Sequence, residues 1–232
     1  MKNIRQLFLI LIILFVQVIV DFQFLKQPIV SEGDSYTRFF IVYTDLLAKN
    51  FINFNSFVWL PLSFSIPVIF SFLVPIEFEL SQRILTMIFS LLTTLVLFFS
   101  VGTNKKKETS YLVALLFALF PLRMFISTTT LTETMFGFFF LSALLLLRKN
   151  QKILMYIGLI SLSIAQGIRY EAWYCLPFFW FLIIKKTTHR IEKLLSIGLT
   201  LLVPTLHLCN NFIHKGDPFF FLKQKYFDAN IY

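Results

Sequence analysis

Glycine is scarce in this chain, 7 residues of 232, and charged side chains make up only 14% against 57% hydrophobic residues. Soluble domains carry roughly 25% charged and 45–50% apolar residues. The shortage of charge therefore excludes an ordinary water-solvated surface and points to lipid as the solvent. Few glycines leave little room for helix packing through small-residue motifs. The two cysteines, Cys175 and Cys209, lie inside or beside apolar segments at no metal or redox spacing and read as small hydrophobes. A Gly-rich phosphate loop is absent, and so are internal repeats, Gly/Ser linkers and low-complexity tracts. A single membrane domain over residues 1–232 is the simplest division.

What is present is apolar and basic. Phenylalanine reaches 31 residues, a compositional habit given little functional weight, and the formal charge is +9. In a soluble protein that charge would suggest nucleic acid. Here the basic residues fall in short loops between apolar runs, which is a topology signal, and no nucleic acid partner is expected. The runs are Leu7–Val20, Ile84–Val101, Tyr111–Ile126, Leu131–Leu147, Ile153–Ile168, Ala172–Ile184 and Leu194–Leu208. Lys2 and Arg5 precede the first run as in a signal peptide, but Gln17, Asp21 and Phe22 stand where small cleavage-site residues belong, so it is read as an uncleaved span.

With the N-terminus in the cytoplasm, about seven spans alternate. Every tight basic cluster then lands on the inner face: Lys105-Lys106-Lys107, Arg148-Lys149 with Lys152, and Lys185-Lys186 with Arg190 and Lys193. All carboxylates except Glu108 and Glu192 fall outside. The hairpin from Ile153 to Ile184 is too short for two full crossings of a ~30 Å core. Its turn, with Arg169, Tyr170 and Glu171, is thus expected at or just below the outer lipid boundary, where charge is costly and points to function.

The first outer loop, about 21–83, is far longer than a connection requires. Within it Tyr36, Phe39, Phe40, Tyr43, Leu46 and Leu47 recur at helical spacing, with Asp34, Arg38 and Asp45 opposite. That pattern predicts an interfacial amphipathic helix with its polar side toward a cavity. The fold class expected is an all-α membrane protein with such helices in its first outer loop.

The polar residues that invite a functional reading gather on the outer side: Asp34, Arg38, Glu133, Arg169 and Glu171, then Asn210, Asn211, His214 and the Gly216-Asp217-Pro218 turn. Each also has a plainer role. Asp34 suits a helix N-cap, and Arg38 is its i,i+4 partner. Glu133 fits a capping box with Thr130. Arg169 and Glu171 fit an interfacial anchor beside Tyr170 and Trp173. His207 and His214 show no ligand spacing. Phe219-Phe220-Phe221 reads as an interface anchor, and Gly216-Asp217-Pro218 as a turn.

Glu32-Gly33-Asp34 with Arg38, followed by Trp59-Leu60-Pro61-Leu62, resembles the first outer loop of GT-C superfamily glycosyltransferases. These polytopic enzymes include protein O-mannosyltransferases and lipid A aminoarabinose transferases. Pro121-Leu122, Ser127 and Thr132-Glu133, then Arg169-Tyr170-Glu171-Ala172-Trp173, then Gly216-Asp217-Pro218, follow in matching order. The resemblance implies a sugar moved from a polyprenyl-phosphate donor to an acceptor on the non-cytoplasmic face, with inversion. Asp34 would be the catalytic base, Arg169 and Arg38 would bind the donor phosphate, and Glu133 or Glu171 would orient the sugar or a divalent metal. Relatives usually carry an unsplit acidic pair, and most continue beyond a seventh span. The expected setting is a bacterial inner membrane. Two other readings stand beside this one: a lipid or sugar-lipid transporter, and a truncated, non-catalytic subunit that needs a partner membrane subunit.

Overall fold

The computed structural model describes residues 2–26, 33–52, 59–101 and 107–223. Glu32, Lys105 and Lys106 lie outside the described residues, as do the side chains of Lys2, Arg5, Asp34, Tyr36 and Lys107. The described chain is all-helical. Its elements are α1 (Lys2–Leu25), α2 (Gly33–Leu47), α3 (Leu62–Leu73), α4 (Phe78–Val101), α5 (Lys107–Ala118), α6 (Pro121–Ser127), α7 (Glu133–Arg148), α8 (Lys152–Ile168), α9 (Glu171–Tyr174), α10 (Leu176–Lys186) and α11 (Arg190–Lys215).

Among the described residues three stretches are long and apolar enough to cross a membrane: Gln6–Leu25 in α1, Phe78–Phe99 in α4, and α11. A fourth is added if α5 and α6, bent by 60° at a short break, count as one broken span. Pro121 opens α6 at its first turn, where a missing N–H costs nothing. The expected runs at Leu131–Leu147, Ile153–Ile168 and Ala172–Ile184 correspond to shorter helices of 16, 17 and 4 plus 11 residues. At ~1.5 Å per residue none of these reaches the ~30 Å of a hydrocarbon core on length alone. Helix length and composition thus carry three crossings, or four, of the seven expected.

The chain divides into two compact units, residues 1–49 with 67–141 and residues 50–66 with 142–232, the divisions falling just after α2 and within α3 and α7. In the first unit α4 packs on α1, α5 and α6. Ile10, Ile13, Phe98, Ala114 and Ala118 form its apolar core, with both alanines fully buried so that α5 approaches closely. Further along α1 the same buried stripe turns polar at Gln17 and Asp21, while Leu7, Phe8, Leu11, Phe15 and Ile19 point outward. Helix α4 likewise buries Gln82, Thr86, Ser90 and Thr94. Polar groups inward and apolar groups outward is the arrangement lipid favours, because hydroxyls and amides find partners only between helices.

In the second unit α11 packs on α8 and α10. It buries Ser196, Thr200, Pro204, His207 and Asn211 along one stripe and exposes Ile191, Leu194, Leu202 and Leu206. Glycine is rare, yet two sit at close contacts. A Cβ on Gly158 would stand 3.0 Å from Leu147, and one on Gly167 would stand 2.5 Å from Leu62. Gly216 ends α11 in the left-handed region, φ 69°, where it is the favoured residue.

Candidate active site

In the first unit, the segment joining α6 to α7, residues 127–132, gathers donors from two other helices. Helix α2 buries Arg38, Val42 and Asp45, one stripe at i, i+4 and i+7, and exposes Phe40, Tyr43 and Leu47. Phe39 and Tyr43 place their rings 4.8 and 5.3 Å from Phe78, which orients the helix. Arg38 Nη1 then donates to Thr132 Oγ1 at 2.7 Å, across 94 residues of sequence. Glu133 follows Thr132 and is the first residue of α7, so its carboxylate stands at the positive end of that helix. The expected box with Thr130 would put Glu133 at the third helical position. The helix instead starts at Glu133.

Asp34 lies in the first turn of α2, four residues before Arg38, a spacing that puts the two positions on one helix face. Arg83 of α4 is 6% exposed and donates from Nε to the Thr128 carbonyl at 2.7 Å, from Nη2 to the Phe24 carbonyl at 2.9 Å and from Nη1 to Glu79 at 3.2 Å. Thr86 Oγ1 lies 3.0 and 2.8 Å from the carbonyls of Ser127 and Thr129. These contacts satisfy carbonyls that α6 leaves open where it stops.

Sequence reasoning missed the most deeply buried charges. Asp21 of α1 is 0% exposed and Arg123 of α6 is 4% exposed. Arg123 Nη1 lies 2.6 and 2.8 Å from the two carboxylate oxygens of Asp21. Its Nη2 donates to the Ala118 carbonyl, the last of α5, so one guanidinium closes the bend and pairs with α1. Ser127 Oγ lies 3.3 Å from Asp21, Gln17 Nε2 donates to Ser90 Oγ at 3.1 Å, and Thr94 Oγ1 donates to Gln17 Oε1 at 2.6 Å. The signals were present: an arginine inside an apolar run, and Gln17 four residues before Asp21 on one helical face. Nothing local said that they meet.

Arg169 and Glu171 belong to the second unit. They pair with each other at 2.6 Å, and their side chains are 23% and 53% exposed. Arg169 therefore already has an anionic partner. Beside it, Tyr170 Oη lies 2.9 Å from His207 Nε2, which also receives Asn211 Nδ2 at 3.3 Å. The Tyr170 ring stacks on Phe221 at 4.6 Å and 7°, and Trp173 meets both His207 and Phe221 edge-on. Trp173 Nε1 donates to the Gln166 carbonyl at 3.0 Å. Burial, reinforced by nearby Tyr174, pushes the Tyr170 phenol above its ordinary range, so it stays protonated. Phe221, expected as an interface anchor, is instead buried in this cluster, while Phe219 is exposed. The Gly216-Asp217-Pro218 segment does turn. Asp217 accepts from the Phe219 amide at 2.9 Å and from Lys223 at 2.6 Å, which hold its carboxyl below the usual range.

Among the described residues no group of three or more His, Cys, Asp or Glu side chains is arranged to hold a metal ion, so Glu133 and Glu171 do not form part of such a site there. Cys175 and Cys209 are free thiols. Comparison with family models, with characterised proteins and with solved structures finds no match for this chain.

Proposed function

We propose that the chain is a membrane glycosyltransferase of the GT-C kind, moving a sugar from a polyprenyl-phosphate donor to an acceptor on the non-cytoplasmic face of a bacterial inner membrane. The observation that supports this best is the Arg38–Thr132 hydrogen bond. It joins α2, which carries Asp34 and Arg38, to the start of α7, which carries Glu133, and these two stretches resemble the family separately in sequence.

In this reading Asp34 takes the proton of the acceptor hydroxyl. The acceptor oxygen attacks the anomeric carbon, the bond from that carbon to the phosphate oxygen breaks, and polyprenyl phosphate leaves. Arg38, buried where water screens little, stabilises the charge that develops on the leaving phosphate. Arg169, paired with Glu171, is the second candidate for that task. Seven crossings with a cytoplasmic N-terminus remain part of the proposal, the short helices α7, α8 and α10 being completed by their flanking residues.

A lipid or sugar-lipid transporter is favoured by one observation, the buried Asp21–Arg123 pair within two helices of candidate spans. The deciding experiment incubates purified protein in lipid with a panel of radiolabelled polyprenyl-phosphate sugars. Label leaving one donor for an acceptor is the expected result. Label that crosses vesicles unchanged would favour transport. A donor bound but never consumed would point to a subunit that needs a partner.

A further inference from the structure

We infer that the face formed by the α7–α8 and α10–α11 connections is a binding site for the phosphate headgroups of anionic membrane lipids. The inference rests on the reading that these helices stand in a membrane, and not on sugar transfer.

Residues 148–152 carry Arg148, Lys149 and Lys152, and residues 185–193 carry Lys185, Lys186, Arg190 and Lys193; the only carboxylate in the two segments is Glu192. Two contacts hold the segments together within the second unit. Lys186 Nζ donates to the Leu147 carbonyl at the end of α7, 3.0 Å away, and Lys152 Nζ stands 3.5 Å from Glu192. Seven cations against one carboxylate therefore share one surface, and mutual repulsion is relieved by bound anions.

The helix ends sharpen this. Lys152 opens α8, and Arg190 and Lys193 lie in the first turn of α11, where a cation opposes the positive end of the helix dipole. The residues at the N-cap positions, Gln151 and His189, make no side-chain capping hydrogen bond. Cations and helix amides at the same place complement a phosphate.

The occupant is a lipid and not a soluble phosphate because the cations sit directly above an apolar fringe. Ile153, Ile191 and Leu194 are 74%, 74% and 71% exposed, and Ile184 is exposed beside Lys185. A headgroup phosphate on the cations would lay its acyl chains along these side chains.

Full-length protein in mild detergent would be titrated with phosphatidylglycerol, with phosphatidylcholine and with free glycerol phosphate, and binding read by native mass spectrometry. Wild type should bind phosphatidylglycerol at least tenfold more tightly than the other two. Each cation near a charged headgroup is worth about fivefold in affinity, so Lys152→Gln/Arg190→Gln/Lys193→Gln should lose about a hundredfold. Lys152→Arg/Arg190→Lys should keep wild-type binding, which separates lost charge from lost fold. Lys215→Gln, at the opposite end of α11, should change nothing. Equal binding of both lipids, or undiminished binding by the triple variant, would overturn the proposal. So would glycerol phosphate binding as tightly as the lipid. Failure of the wild type to enter liposomes would instead sink the membrane reading.

Discussion

In the first compact unit the buried polar side chains include an ion pair, Asp21–Arg123, and two further guanidiniums, Arg38 and Arg83. In the second they are amides, hydroxyls and an imidazole: Gln166, Thr200, His207 and Asn211. Both units contain a break in helical structure, and each closes it with what it has. At the bend between α5 and α6, one arginine caps the freed carbonyl of Ala118 and neutralises itself against α1. At the break between α8 and α9, Tyr170 and Trp173 pack against His207 and Phe221. Charge anchors the segment that leads to the candidate site, and stacked rings anchor the segment after α11.

The largest expected effect breaks the charged side of that contrast. Arg123→Met leaves the Asp21 carboxylate buried without its cation and should cost about 3–5 kcal/mol, read as a large fall in the thermal midpoint in detergent. Asp21→Leu combined with Arg123→Met should recover most of the loss, since a well-packed apolar pair substitutes for a buried ion pair. A double variant as unstable as the single would show that the pair is not what holds the bend.

The aromatic side is tested by Phe221→Ala, expected to cost about 3 kcal/mol by leaving a cavity against Tyr170. The exposed Phe219, replaced in the same way, should change stability little. Equal effects at both positions would remove the distinction between anchor and surface.

A smaller effect than that of Phe221→Ala is expected from Tyr170→Phe, which removes the bond to His207 and should cost about 1 kcal/mol. It also carries a pH signature. The folded protein holds the phenol proton more tightly than the ordinary value of 10.0. That contribution is complete below pH 10 and is lost as pH rises beyond it. Wild type should therefore lose stability above pH 10 more steeply than Tyr170→Phe, and parallel profiles would contradict the burial of Tyr170.

Much of the fold was legible because hydrophobic runs and helical spacing are local signals. The runs at Leu7–Val20, Ile84–Val101 and Leu194–Leu208 fall on α1, α4 and α11, and the periodic stretch after Gly33 is α2. Helix breaks were harder. Arg123 disappeared into an apolar average although it sits beside the bend at Pro121, and Asp21 read as the edge of a run although α1 continues to Leu25. Their pairing across 102 residues leaves no trace in either neighbourhood. The same holds for Phe221, whose partners Tyr170 and His207 come from the turn before α9 and from α11. Within the candidate site, residue types were readable one by one. The Arg38–Thr132 contact was not, because only the folded chain brings the two together.

The central claim is that Asp34 on α2 is the base of a sugar transfer supported by Arg38. It is tested most directly by comparing wild type with Asp34→Asn for label leaving a radiolabelled polyprenyl-phosphate sugar under single-turnover conditions. Loss of a positioned general base predicts a drop of about 10²–10⁴-fold in the rate, with donor binding retained. Unchanged turnover by Asp34→Asn would contradict the assignment and return Asp34 to the role of a helix cap.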